Sequence, residues 1–188
     1  MKVVIGVCVV GVARTASALT ELQSSSSQFI GDRAVGVARS LGDIVGIVNN
    51  AAIVSGSASS EINLLAPLAL TTKSIEDLKR NKGNVINVTS STSQAPVPAF
   101  GPYGVTKVSL NYVSKAISVE YPEITCLAFY PGGSGNGGDM SGATKKLAHP
   151  ISADLPGRII ANLALRASHE LTGQYYVYSD SAMAPYST

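Results

Sequence analysis

Residues Asn84 to Lys107, NVINVTSSTSQAPVPAFGPYGVTK, constrain the fold of this chain more than any other stretch. An apolar run, Val85 to Thr89, breaks at a Ser/Thr cluster and crosses a Pro-rich loop. The chain then enters a helix, Tyr103 to Tyr121, that stops before Pro122. Residues four apart on a helix share a face, so Tyr103 and Lys107 can point into one cleft. Ser90, at the end of the run, lies thirteen residues before Tyr103 and can reach the same point from the other side. A hydroxyl, a phenol and an ammonium converging at the carboxyl end of a strand form a set suited to moving protons.

The rest of the chain repeats the strand-then-helix alternation. Apolar runs at Ile44–Val48, Ile124–Phe129 and Gln174–Tyr178 predict buried strands, and Gln28–Ile30 predicts a short one ending at Gly31-Asp32. Helices are expected over Arg14–Gln23, Ala34–Leu41, Glu61–Arg80 and Leu155–Ala167. The third of these has Ile62, Leu65, Leu68, Leu70, Ile75 and Leu78 as its apolar side and a bend at Pro67. Strands that are apolar throughout and alternate with helices indicate an α/β fold. The expected form is a Rossmann-like, doubly wound, mainly parallel sheet with helices on both faces, in one domain spanning residues 1–188. Ligands of such sheets bind outside the carboxyl ends of the strands. Arg14, Asp32, Asn49-Asn50, Ser90 and the glycines after Pro131 all fall at such ends.

Composition narrows the classes of function. A net charge of +2, with no basic run, gives no electrostatic footprint for nucleic acid. No run of apolar residues is long enough for a membrane helix. Cys8 and Cys126 sit in apolar runs and predict buried thiols. His149 and His169 stand away from any ligand cluster, so no metal site is expected. The N-terminal MKVVIGVCVVGVARTASA is taken as a buried strand, which places the protein in the cytoplasm. Its basic start, apolar run and small residues also outline a cleavable secretory leader, the alternative.

Together these residues resemble the short-chain dehydrogenase/reductase family, in particular its fungal carbonyl-reductase-like members. The matching pieces are VVGVAR (9–14), GD (31–32), IVNNAA (47–52), INLLAPLALT (62–71), the Ser90/Tyr103/Lys107 set, FYPG (129–132), GDM (138–140) and GQYYVYSD (173–180). The resemblance implies an oxidoreductase in which Tyr103 passes a proton to or from the substrate oxygen while a nicotinamide carries the hydride. Ser90 would hold that oxygen, Lys107 would bind the nicotinamide ribose, and Asn63 would extend a proton relay through water. A free Tyr titrates at about 10, and the Lys107 ammonium is expected to favour its phenolate. Arg14, where NAD-binding members carry an acidic residue, points to NADP rather than NAD. Asp32 would sit near the adenine, Asn50 along the adenosine, and Pro131 with Gly132 beside the nicotinamide. The cleft between Ala95–Pro102 and the glycines after Pro131 carries no charge, which favours a small uncharged carbonyl or alcohol. A homo-oligomer through the two long helices is a further expectation.

The chain also departs from the family pattern. Between Ile5 and Val9 there is no glycine-rich turn and no room for the dozen or more residues of a parallel crossover. The first βα unit is therefore expected to be incomplete, and Val3–Val12 to form at most one strand. The family's usual span of roughly 250 residues for such a domain leaves this chain about 60 short. A catalytically inactive protein of the same fold is the runner-up, and a secreted binding protein the third reading.

Overall fold

The computed structural model describes residues 2–6, 27–54, 59–133 and 152–188. Five strands, β1 (Lys2–Gly6), β2 (Asp43–Asn49), β3 (Asn84–Val88), β4 (Thr125–Tyr130) and β5 (Tyr175–Val177), form one sheet in the order β1-β2-β3-β4-β5. Every pairing is parallel. Between them come α1 (Ser27–Leu41), α2 (Ala66–Lys73), α3 (Ile75–Asn81), α4 (Gly101–Glu120) and α5 (Asp154–Arg166). The expected α/β architecture is the observed one.

Parallel strands covered on both faces are apolar on both sides, and here alternate residues feed two cores. On the first face, Ile44, Ile47, Val85 and Cys126 pack with Val35 and Ala38 of α1, Leu70 of α2, Leu78 of α3 and Ile117 of α4. On the second, Ile86, Leu127 and Phe129 meet Ile159, Leu163 and Ala164 of α5 and, from the C-terminal segment, Met183 and Tyr186. Each fully buried Leu, Ile or Phe contributes about 1.5–3 kcal/mol. The approach of α5 is set by Gly46. A Cβ there would stand 2.5 Å from the carbonyl oxygen of Ala164, closer than any side chain tolerates.

Two expectations need correction. The short strand at Gln28–Ile30 is instead the start of α1, which is a single helix from Ser27 to Leu41. Two apolar residues, Phe29 and Ile30, cannot by themselves separate strand from helix. The helical spacing of Val35 and Ala38, both buried with Ala34 packed beside them, decides the matter. The helix expected over Glu61–Arg80 is broken in two places. Pro67 has no N–H to give the turn before it, and Glu61–Leu65 is a π turn in which the Ala66 N–H bonds the Glu61 carbonyl. At Ser74 the backbone leaves helical geometry (φ −100°, ψ 1°) and α3 begins. Leu70, Ile75 and Leu78 are buried as expected, whereas Leu65 and Leu68 face out. The expected strand segment 7–12 and helix 14–23 lie outside the described residues, as does the region of the missing glycine turn.

Candidate active site

The site is built at the carboxyl end of β3. Past Val88 the ladder continues for one more bond, Thr89 N–H to the Phe129 carbonyl at 2.8 Å. Ser90 then turns the chain, its Oγ accepting from the Thr92 N–H at 3.2 Å to cap a 3-10 turn at Ser91–Ser93. Helix α4 starts after Phe100 with Pro102 in its first turn, a position where a missing N–H costs nothing. Tyr103 and Lys107 follow one turn apart, both turned into the protein and nearly inaccessible, at 4% and 1% exposure.

Lys107 donates from Nζ to the carbonyl oxygen of Val88 at 2.8 Å, and its ammonium lies 5.5 Å from the centre of the Tyr103 ring. Burial lowers the Lys107 pKa from 10.5 to about 8. The Tyr103 phenol is pushed up by burial, which outweighs its hydrogen bond to Ser90; the neighbouring Tyr130 phenol pushes it further up. This reverses the expected direction. A desolvated phenol resists ionisation, and Lys107 is turned to a backbone carbonyl rather than to the phenolic oxygen. Phe100 meets the Tyr103 ring edge-on, with centroids 6.2 Å apart.

Asn63 is wholly buried within the π turn. Its Oδ1 accepts from the Ile53 N–H at 2.8 Å, while its Nδ2 donates to the Ile53 carbonyl at 2.8 Å and to Thr106 Oγ1 at 3.2 Å. Both amide protons are thus spent on holding the loop after β2 against α4, one residue before Lys107. Tyr103 and Lys107 come together as the helical spacing predicts, with Ser90 at the adjoining strand end, and Asn63, which the resemblance singles out, joins α4 through Thr106. Asn50 is exposed just beyond β2, and Pro131 and Gly132 are half-buried just beyond β4, Gly132 with a left-handed φ of 83°. These three residues line the strand ends on either side of Ser90.

Asp32 falls elsewhere. The strand end on which it was expected does not exist. It lies on the exposed side of α1 and pairs with Lys73 of α2. Arg14 lies outside the described residues. Asn49, placed by the sequence at a ligand-facing strand end, is instead buried: its Nδ2 donates to Asn87 Oδ1 at 2.7 Å, while Asn87 Nδ2 donates to Ser114 Oγ at 2.9 Å. That chain of polar groups ties β2 and β3 to α4 and fixes the helix that carries Tyr103 and Lys107. An Asn closing an otherwise apolar strand was the signal for it.

A fold of this kind hosts many activities, and the comparisons with known proteins specify the family. The model of the short chain dehydrogenase family matches residues 6–146, and the chain belongs to that family. It is 25% identical over 145 residues to an uncharacterized oxidoreductase of Saccharomyces cerevisiae, YIR035C, covering 67% of this chain and 57% of that protein. It is 33% identical over 73 residues to human dehydrogenase/reductase SDR family member 4, covering 36% of this chain and 26% of that protein. The chain thus spans little more than half the length of the first of these relatives. The crystal structure of YIR035C superposes with a TM-score of 0.78 at 19% identity, over 100% of this chain and 88% of that one. A gluconate 5-dehydrogenase of Burkholderia cenocepacia in complex with NADP and tartrate superposes with a TM-score of 0.70 at 19% identity, over 82% of this chain and 71% of that one.

Proposed function

We propose that this oxidoreductase is NADP-dependent and reduces the carbonyl of a small uncharged compound, or oxidises the corresponding alcohol. The observation that carries the reading is the meeting of Ser90, Tyr103 and Lys107 at the carboxyl end of β3, with the lysine fully buried. A buried ammonium with one N–H on Val88 keeps two donors for a ligand. A ribose is of the right chemistry to accept them. Gly132, with no side chain and a left-handed φ, lets a flat ring approach the backbone. The donor set therefore fits the nicotinamide half of a dinucleotide. When bound, the dihydronicotinamide supplies the hydride.

The protein's own groups do the rest. Ser90 Oγ orients the substrate oxygen beside the phenol. Tyr103 donates its proton from Oη to that oxygen as negative charge develops there. A phenol kept protonated by burial suits the reductive direction. Lys107 binds the sugar and places its charge behind the ring of Tyr103. Asn63 acts by positioning, since its side chain is already committed to Ile53 and Thr106. Asn50 and Arg14 belong to the adenosine side. Asp32, paired with Lys73 on the exposed side of α1, has no part in this proposal.

Arg14 is the ground for NADP; the structural neighbours include complexes with NADP and with NADH. A charge-assisted hydrogen bond to a phosphate is worth about 1.5–3 kcal/mol. NADPH is therefore expected to bind about 10- to 100-fold tighter than NADH when each is titrated by its fluorescence. Arg14→Ala should erase that preference. Equal binding of the two nucleotides by the unaltered protein would refute the assignment. No binding of either would favour the inactive reading, which rests on the missing glycine turn between Ile5 and Val9.

Self-association belongs to the same proposal. On α4, Val105, Val108, Tyr112 and Val119 form an exposed apolar stripe, Tyr112 at 73% and Val119 at 80% exposure. Leu65 and Leu68 add to the exposed apolar surface. A stripe of this kind is normally covered. A dimer is expected by size-exclusion chromatography with light scattering, and Tyr112→Lys should yield a monomer. A monomeric wild-type protein at tens of micromolar would contradict the expectation. Among the described residues no helix is long and apolar enough to cross a membrane. A cytoplasmic setting accords with this reading.

A further inference from the structure

The face of α4 that carries Tyr103 and Lys107 bears a third polar residue one turn further on, Asn111. Its contacts run to the turn that holds Ser90. Asn111 Nδ2 donates to Ser93 Oγ at 2.9 Å, and Ser93 Oγ donates to the Ser90 carbonyl oxygen at 2.6 Å. The Ser93 N–H reaches the same carbonyl at 3.0 Å, and Gln94 Nε2 donates to Ser93 Oγ at 3.3 Å. Ser93 spends its one hydroxyl proton on Ser90, so only the amide nitrogen of Asn111 can face it.

The Ser90 end of this link is equally fixed. Ser90 Oγ accepts from the Thr92 N–H at 3.2 Å, which leaves its own O–H free to donate. Thr92 rests on α4: a Cβ at Gly104 would stand 3.2 Å from the Thr92 carbonyl oxygen. The turn is therefore seated on α4 at Gly104 and fastened to it at Asn111, about two helical turns further along. With both points held, α4 sets where Ser90 stands relative to Tyr103, and the loop from Gln94 to Phe100 does not have to.

Stability does not account for Asn111. Its Oδ1 is buried and hydrogen-bonds to no described residue, a cost that a leucine of similar size would avoid. Asn is also the weaker helix former of the two. What the amide supplies and leucine cannot is an N–H aimed at Ser93. We propose that Asn111 is a positioning residue of this site, acting through Ser93 to hold the Ser90 hydroxyl against the Tyr103 phenol. The inference rests on the reductase reading, in which Ser90 and Tyr103 share the substrate oxygen, and deepens it.

The test uses Asn111→Leu and Ser93→Ala, each also made in a Ser90→Ala background. Either single change should lower kcat for reduction of diacetyl about tenfold and leave the KM for NADPH unaltered, the mark of one misplaced donor in the transition state. In the Ser90→Ala background neither change should cost anything more, because the group they position is gone. Ultraviolet titration of phenolate gives a readout free of turnover, with the Tyr103 contribution taken as the difference between each protein and its Tyr103→Phe counterpart. The hydrogen bond from Ser90 lowers the pKa of that phenol, so Asn111→Leu and Ser93→Ala should both move its titration to higher pH, as Ser90→Ala does. Should Asn111→Leu fail to fold, Ser93→Ala decides the matter. An unmoved titration in the folded variants overturns the proposal, and so does a loss of turnover that persists in full without Ser90. A wild-type protein with no turnover sinks the reductase reading, and the titration then decides the role of Asn111 alone.

Discussion

Replacing Lys107 by Met is expected to make the protein more stable and to abolish its turnover. A lysine brought from 10.5 to about 8 by burial carries a folding penalty of the order of 3 kcal/mol at neutral pH. Met keeps the length of the side chain and removes the charge. The Val88 carbonyl loses its 2.8 Å donor, which costs about 1 kcal/mol. The net gain should be about 2 kcal/mol, read as a shift of the denaturant midpoint at pH 7.

The gain has a characteristic pH dependence. Below about 8 the lysine is charged in both folded and unfolded chains, and the penalty is complete. Between about 8 and 10.5 the folded form has released its proton while the unfolded form still holds it. Wild-type stability therefore rises with pH through that window, and the advantage of Lys107→Met should vanish by about pH 10. A variant less stable than the parent at pH 7 would show that the lysine is held by compensating contacts. Carbonyl reduction should meanwhile fall by at least about 10²-fold, since the group proposed to hold the sugar and back the phenol is gone.

Tyr103→Phe should lower kcat/KM for carbonyl reduction by about 10²- to 10⁴-fold, the usual worth of a positioned proton donor. NADPH affinity should stay within a few-fold, because the hydroxyl and not the ring is removed. Stability should change by no more than about 1 kcal/mol, the net worth of a typical hydroxyl hydrogen bond. In the unaltered enzyme the pH profile separates the two groups. Burial keeps the Tyr103 phenol protonated above its ordinary range, so it sets no limb near neutrality. The limb of the reduction profile belongs at about 8, where Lys107 gives up its charge. A limb well below that value would mean that another group controls the proton. Activity surviving in Tyr103→Phe would remove the phenol from the mechanism.

Much of this was legible in the sequence. Buried parallel strands are apolar on both sides, so β2, β3 and β4 stand out as runs, and the helices between them fix the fold class. Ser90, Tyr103 and Lys107 were readable because a strand end and one helical turn bring them together by local geometry alone. Other features depend on packing that no short window contains. The start of α1 looks like a strand because its first apolar residues are too few to show a period. The π turn at Asn63 and the break at Ser74 are invisible to a pattern that treats Glu61–Arg80 as one helix. Leu65 and Leu68 look like core and face outward, where the exposed stripe of α4 also lies.

Electrostatic direction was the least legible. Sequence spacing puts an ammonium beside a phenol, and the expected effect is to favour phenolate. The depth at which both are buried reverses this, and depth is a property of the whole fold. Asn111 escaped notice for a related reason. Its partner is decided by where the Ser90 turn rests against α4, which needs the packed fold.

We propose that this chain moves a hydride from NADPH to a carbonyl carbon at the site formed by Ser90, Tyr103 and Lys107. The most direct test is isotopic. NADPH deuterated at the transferring position is incubated with diacetyl and the protein, and the reduced product is analysed by mass spectrometry. A single deuterium on the carbinol carbon is the predicted result. No reduced product at millimolar cofactor, from protein shown to be folded, would contradict the account.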